Sequence, residues 1–387
     1  MSQKFWTLVN HATGECDFNL AIGPNDFGKA AGFRVAAREL RGGRRNGVQM
    51  VEIDNGICQF TVVPTRGMAI WKAAVGDVIA GWNSPVQGPV HPAFVHLGEP
   101  SGLGWLDGFD ELLARCGLHS NGAPEFDQRG VLKYPLHGRI ANLPAQHVEL
   151  TIDEDAGELT LVGIVDECRF HFQKLRLTST IKTKLGEPGW RITDEVTNLS
   201  GEPGEAQLLY HINFGPPLLE PGAKLIAPAQ TVVPRNELAA AELAHWSDYG
   251  PPEAGSQERV FLFELAADAA RWTQVLLRNA AADRGATLRF STENLPCFTQ
   301  WKNTPSLADG YVTGLEPGTN FPNPRSFEAR QGRVLQLEPG ATARFELALE
   351  LHDTAAGVQT SAAKIRTLPA PLPPHLHARP QAGWCAP

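Results

Sequence analysis

Apolar and polar residues alternate along much of this chain with a period of two. That is the spacing of half-buried strands rather than of helices. Residues Gln49–Asp54 and Cys58–Val63 read as two strands around the turn Asp54-Asn55-Gly56. His147–Asp153 and Glu158–Asp166 form a second such pair around Glu154-Asp155-Ala156-Gly157. Phe170–Lys184 reads as one long strand, with Leu175, Leu177, Ser179 and Ile181 on one face and Arg176, Thr178, Thr180 and Lys182 on the other. Trp190–Asn198 follows the turn Gly186-Glu187-Pro188-Gly189. Further strands are expected at Val260–Leu265, Trp272–Arg278, Ala286–Ser291, Cys297–Lys302, Arg333–Leu337 and Ala343–Leu351. So many short strands separated by turn residues predict an all-β protein, a large antiparallel β-sandwich with few short helices. A short helix or turn is expected at Asp107–Arg115, a surface helix at Glu237–His245, and a loop at Ser247–Gln257. The tail from Thr367 to Pro387 holds six prolines and little core material, so it is expected to lie on the surface or to be partly disordered. No internal break stands out. Residues 1–366 are read as one domain with an N-terminal elaboration, and 367–387 as the tail.

Composition narrows the class. The chain has 387 residues, 42% hydrophobic and 20% charged, enough for a sizeable core. A net charge of -8 disfavours nucleic acid as a partner. No window of about 18 apolar residues exists, so no membrane span is expected. The first ten residues lack the apolar run of a secretory signal. Six scattered cysteines with no C-x-x-C pair fit free thiols in a reducing, cytoplasmic setting. The 38 glycines and 30 prolines are spread along the chain, as turn-rich β proteins require. Phosphate loops and nucleophile elbows are absent. His91, His96, His119 and His137 fit no familiar metal spacing, even with Asp107 and Glu111, so neither metal nor cofactor is expected.

Four segments place ionisable residues among glycines, prolines and aromatics: Tyr134–Asn142, Leu208–Gly215, Phe298–Lys302 and Gly314–Pro324. In the second, His211 and Asn213 interrupt a strand that otherwise looks buried, and a buried imidazole needs partners for both nitrogens. Taken singly, His211 is more often a satisfied core histidine. Glu316, at a strand end before a Pro/Gly-rich loop, is as readily a loop-fixing acceptor as a base.

Together the segments resemble the aldose 1-epimerase family. Leu136-His137-Gly138 is similar to that family's sugar-binding Leu-His-Gly. Tyr210-His211-Ile212-Asn213-Phe214 is similar to the strand carrying its general-acid histidine. Glu316 to Asn323 is similar to the segment carrying its general-base glutamate, and Val196-Thr197-Asn198 to its Val-x-Asn strand end. The resemblance spans roughly residues 45 to 352. Arg139 stands where classical mutarotases have a second glycine, and the stretch 85–133 is long. The chain therefore looks closer to an uncharacterised, DUF4432-like branch of the galactose mutarotase-like superfamily than to galactose mutarotase proper.

The resemblance implies the galactose mutarotase-like supersandwich fold and a sugar substrate whose ring is opened and reclosed by one acid and one base. Glu316 is expected as base and His211 as acid, with Asp107, Asp110 or Glu111 supporting a protonated imidazole and the pair lying across a pocket that admits a pyranose. His137, Arg139, Arg66, Asn213 and Asp107 are expected to hold the substrate, with Trp301 or Trp71 offering an apolar face. A homodimer is compatible with this reading. Two alternatives stay open: a sugar isomerase or lyase acting on an acidic or modified sugar in the same cleft, and a carbohydrate-binding module without catalysis.

Overall fold

The computed structural model describes residues 3–29 and 32–387. Two large sheets pack face to face. The first has ten strands in the order Lys224–Ile226, Trp272–Arg278, Gly285–Ser291, Thr342–His352, Gly189–Asn198, Lys174–Lys184, Glu158–Cys168, His147–Asp153, Gln3–Asn10 and Glu15–Cys16. The second runs from the short strand His375–Leu376 through Ala229–Pro234, Arg259–Leu265, Cys297–Asn303, Val312–Gly318, Gly204–Phe214, Leu113–Leu118, Ala69–Val75, Cys58–Val63, Gln49–Asp54 and Arg34–Glu39 to Asn19–Ile22. Neighbouring strands are antiparallel, except that His375–Leu376 runs parallel to Ala229–Pro234. This is the galactose mutarotase-like all-β sandwich that the sequence pattern and the resemblance lead one to expect.

The period of two builds the core directly. In Lys174–Lys184, Leu175, Leu177, Ser179 and Ile181 are buried and the residues between them half-buried. Strand bounds at Gln49–Asp54, Cys58–Val63, His147–Asp153 and Trp272–Arg278 are as expected. The long strand begins at Lys174 rather than Phe170, because Arg169–Gln173 closes a hairpin in which the Arg169 amide donates to the Gln173 carbonyl at 3.0 Å. That turn leaves Phe170 82% exposed.

The sheets are also joined by charge. Arg115, on the second sheet, donates through Nε to Asp194 Oδ2 at 2.5 Å and through Nη2 to Ser179 Oγ at 2.8 Å, both on the first sheet. The Tyr210 hydroxyl donates to the same Asp194 oxygen at 2.9 Å. Arg115 and Asp194 are both fully buried, so the polar groups of each are met within the protein rather than by solvent.

The described residues hold three α-helices: Glu237–Ala241, Arg325–Arg330 and Ala355–Arg366. Where a short helix or turn was expected at 107–115, a 3-10 turn spans Gly104–Gly108 and the wholly buried strand Leu113–Leu118 follows. A segment buried on both faces, Arg115 included, carries no alternation to mark it as a strand. Ala355–Arg366 has no counterpart among the sequence expectations: its apolar stripe is thin, Val358, Ala362 and Ile365, packed on Leu276. The tail lies on the surface; Trp384 stacks on Phe321 with ring centroids 5.0 Å apart. No helix among the described residues is long and apolar enough to cross a membrane.

Candidate active site

Strand Gly204–Phe214 is central in the second sheet, and its alternation divides two environments. Leu208, Tyr210, Ile212 and Phe214 enter the core between the sheets. Leu209 faces the other way, among Ala114, Cys116 and Val312, and so do His211 and Asn213. The neighbouring strand Val312–Gly318 pairs Leu315 with Ile212 and Gly318 with Leu209, which sets Glu316 opposite His211. On its other side Glu316 pairs with Thr299 of Cys297–Asn303. One row across three strands therefore reads His211, Glu316, Thr299. Gly314 makes room for it: a Cβ there would come 2.6 Å from Glu316 Oε1 and 3.0 Å from His211 Cε1.

His211 Nε2 lies 3.2 Å from Glu316 Oε1. The contact is close but poorly aligned, and this carboxyl oxygen has no hydrogen-bond partner. Thr299 Oγ1, beside it in register, has none either. The other imidazole nitrogen, Nδ1, lies 2.6 Å from Asn213 Oδ1. Asn213 Nδ2 donates to the carbonyls of Glu111 and His211 at 3.0 and 3.1 Å, so its oxygen is the atom turned toward the ring. Nδ1 is therefore the protonated nitrogen, and Nε2 is left to face Glu316. Burial pushes the Glu316 carboxyl well above the usual carboxylate range, reinforced by the charge of Glu258. Burial likewise pushes His211 well below its ordinary value. The leading cause is the same for both, removal of the charged form from solvent, and both shifts favour the uncharged forms, a carboxylic acid beside a neutral imidazole.

The pair forms the floor of a cavity of about 530 Å³. Trp301 and His137 line it. His137 Nδ1 donates to the Asn121 carbonyl at 2.9 Å, which leaves Nε2 as its acceptor. Burial lowers His137 to about 4, so the ring is neutral at ordinary pH. Its backbone is left-handed, φ 55°, followed by Gly138 at φ 71°. A Cβ at 138 would come 2.0 Å from the Ser120 carbonyl, so the glycine is obligatory for the bend that brings the ring within 5.2 Å of His211. Asn121 also exchanges two hydrogen bonds with Asn320, at 2.8 and 2.7 Å. This ties the loop behind His137 to the loop after Glu316. The tail braces the second loop, with Asn323 Nδ2 donating to the Trp384 carbonyl at 2.8 Å.

Other expected substrate ligands lie elsewhere. Arg66 is wholly buried, donating to Glu111 at 2.6 Å, to Asn142 and to the Gly108 carbonyl at 2.8 Å. With its guanidinium fully buried and no part of the cavity wall, it is not placed to hold a ligand there. Arg139 is exposed and opens onto a separate hollow beside Lys133. Asp107 is exposed and does not line the cavity. Asn213 contacts His211 and forms no part of the cavity wall. Trp71 is turned away, its Nε1 donating to Asp110 at 2.8 Å. None of Asp107, Asp110 and Glu111 bears on His211 through a carboxylate; Asp110 is engaged by Trp71 and Glu111 by Arg66. The acid and base adjoin each other rather than standing across a ring-sized gap.

Several lining residues were not singled out from the sequence: Trp82, Trp105, Phe109, Thr299, Arg235 and Glu258. Trp105 and Phe109 fell in the long stretch 85–133, and Thr299 in the segment Phe298–Lys302, but none of the three was given a role. That stretch, 85–133, forms a wall of the cavity through Leu103, Trp105, Leu106 and Phe109. At the mouth Arg235 and Glu258 approach to 3.9 Å, and Glu258 accepts from Trp301 Nε1 at 2.7 Å.

A family model described as "Domain of unknown function (DUF4432)" matches residues 45–351. No curated protein matches the chain. Among solved structures, a proposed aldose 1-epimerase from Klebsiella pneumoniae is 35% identical; the alignment covers 98% of this chain and 100% of that one, with a TM-score of 0.94. A galactose mutarotase-like protein from Clostridium acetobutylicum is 14% identical over 82% of this chain and 98% of its own, with a TM-score of 0.56. A galactose 1-epimerase from Lactobacillus acidophilus is 11% identical over 82% and 98%, with a TM-score of 0.53. The last two are likenesses of fold.

Proposed function

The chain belongs to the DUF4432 family, and on that premise we propose that it is an aldose 1-epimerase-type isomerase in which Glu316 and His211 act as one acid–base unit on the hemiacetal of a sugar. The observation that carries this reading is the 3.2 Å approach of Glu316 Oε1 to His211 Nε2 at the floor of the cavity. The description of the Klebsiella pneumoniae protein as a proposed aldose 1-epimerase supports it.

Anomer exchange needs a proton removed from the anomeric hydroxyl and another delivered to the ring oxygen. These two oxygens hang on the same carbon, so an adjoining acid and base suit them better than a pair spaced across a ring. From the neutral pair, His211 Nε2 takes the hydroxyl proton as Glu316 gives its proton to the ring oxygen. The bond from the anomeric carbon to the ring oxygen breaks, leaving an aldehyde, a free hydroxyl and an imidazolium beside a carboxylate. After rotation about the adjoining C–C bond, the hydroxyl attacks the other face of the carbonyl. Its proton returns to Glu316, His211 protonates the new anomeric oxygen, and the pair is restored. In the resting state this reverses the roles implied by the family resemblance, with the glutamate starting as acid. His137 Nε2 accepts from a ring hydroxyl, and Trp301 packs against the C–H side of the ring.

The test is NMR of freshly dissolved aldoses with and without the protein. Accelerated anomer exchange is expected, reduced roughly 10²- to 10⁴-fold in Glu316→Gln and in His211→Asn. Because the two act together, the double variant should be scarcely worse than either single one. Absence of acceleration for every sugar tried would defeat the proposal. Solvent deuterium appearing at a carbon position would point instead to an isomerase or lyase.

A further inference from the structure

His211, Glu316, Thr299 and His137 supply the groups suited to the hemiacetal, and the aromatic wall begins beside them, with the Trp105 ring centroid 4.6 Å from that of His137 and the Phe109 centroid 5.1 Å from that of His211. Apart from Arg235, Glu258 and Asp309, the rest of the wall is largely apolar. Trp82 and Trp105 show the cavity only carbon, because their indole nitrogens are closed off from solvent. Ser84 Oγ is occupied, donating to the Phe109 carbonyl at 2.7 Å. Asn303 Nδ2 is taken by the Gly310 carbonyl at 3.0 Å. Leu103 and Leu106 stand at the rim 44% and 45% exposed, apolar side chains held in water beside an aromatic wall. A sugar hydroxyl pressed against this wall would give up water and find no replacement, at a cost of about 1–3 kcal/mol each. The volume of 530 Å³ corresponds to about eighteen waters at roughly 30 Å³ apiece. That exceeds one hexose, whose heavy atoms are fewer and more closely spaced than packed water molecules.

We infer that the site takes an aldose bearing an apolar substituent, alkyl, acyl or aryl, on a ring position away from the anomeric carbon, with that group leaving the ring along the apolar rim at Leu103 and Leu106. The inference rests on the ring-opening reading only for where the anomeric carbon sits. The acid–base pair fixes the hemiacetal, and the apolar wall and rim select the substituent by burying it.

The experiment uses the four mono-O-benzyl ethers of D-glucose at O2, O3, O4 and O6, with D-glucose as reference. Anomer exchange is followed by NMR and binding by quenching of tryptophan fluorescence. At least one ether is expected to exceed glucose roughly tenfold or more in kcat/KM and in affinity, as burial of an aryl group should provide. In Leu106→Asp, altered at a half-exposed rim position, that ratio should fall toward one. If every ether binds and exchanges no better than glucose, the substrate class is wrong even if exchange of glucose itself is rapid. If an ether binds more tightly than glucose, depends on Leu106 and is never exchanged, the substrate class stands and the ring-opening reading falls.

Discussion

The buried imidazole of His211 has one nitrogen committed to Asn213 Oδ1 and the other facing an unpartnered carboxyl oxygen. The partner at Nδ1 determines what the ring can do. An amide oxygen orients the N–H and favours a charged ring less than a carboxylate would, so burial outweighs it and keeps the His211 pKa low. Asn213→Asp would supply that carboxylate. It should raise the His211 pKa and introduce a new ionisation into the pH profile of kcat, while the fold, read by near-UV circular dichroism, stays intact. An unchanged profile would mean that Nδ1 does not influence the reacting nitrogen. A second residue-scale consequence concerns stability. Burial, with help from the Arg325 charge, lowers His119 to about 4, and burial also lowers His137 to about 4. Their unfolded values are near 6.5, so below that pH the unfolded chain binds more protons, and stability must fall as pH drops from about 6.5 toward 4. Asp110, raised to about 6 mainly by burial, acts in the opposite sense: its contribution is present in acid and lost as pH rises through about 6. His119 lies outside the cavity wall, so His119→Gln isolates one contribution. Its Tm should decline less than that of the parent between pH 7 and pH 5, and parallel curves would contradict the assignment.

At the scale of elements, the site is three adjacent strands and two tethered loops. The row His211, Glu316, Thr299 exists because the register places them opposite one another, and Gly314 keeps the space beside it clear. Gly314→Ala should leave the sheet intact while displacing the carboxyl. A loss of about 10²-fold in kcat is expected from a shift of about 1 Å, with destabilisation of only about 1–3 kcal/mol. Kinetics together with urea denaturation would separate the two effects, and full activity would show that the pair tolerates displacement. The strands themselves were legible beforehand because one face of each is buried and the other is not, and alternation records that difference. Leu113–Leu118 was not legible, since burial on both faces erases the alternation. The helix Ala355–Arg366 was missed because small residues occupy much of its buried face. The aromatic wall was missed because Trp82, Trp105 and Phe109 lie in irregular segments, where no spacing announces which side faces a cavity.

Across the whole molecule, the two sheets are held by apolar packing and by the buried Arg115–Asp194 pair with its Ser179 and Tyr210 contacts. Removing one charge leaves the other buried and alone. Arg115→Met should therefore cost about 3–5 kcal/mol, and adding Asp194→Leu should restore part of it. Urea midpoints of the single and double variants would check this, and a single variant as stable as the parent would refute it. Residue order alone carried the all-β architecture, most strand positions, and the motifs around His137, His211 and Glu316, because these are local: alternation and short spacing survive in one dimension. It could not assign partners to ionisable groups. Arg66 and Arg139 look equally suited to bind a ligand in the chain, yet one is enclosed by Glu111, Asn142 and Gly108 and the other faces solvent on a different hollow. Nor could it reveal that Glu316 and His211 touch, that burial disfavours the charged form of both, or that much of their cavity wall is apolar. Charge state and contact depend on neighbours tens to a hundred or more residues away, and only the packing of the sheets brings those neighbours together.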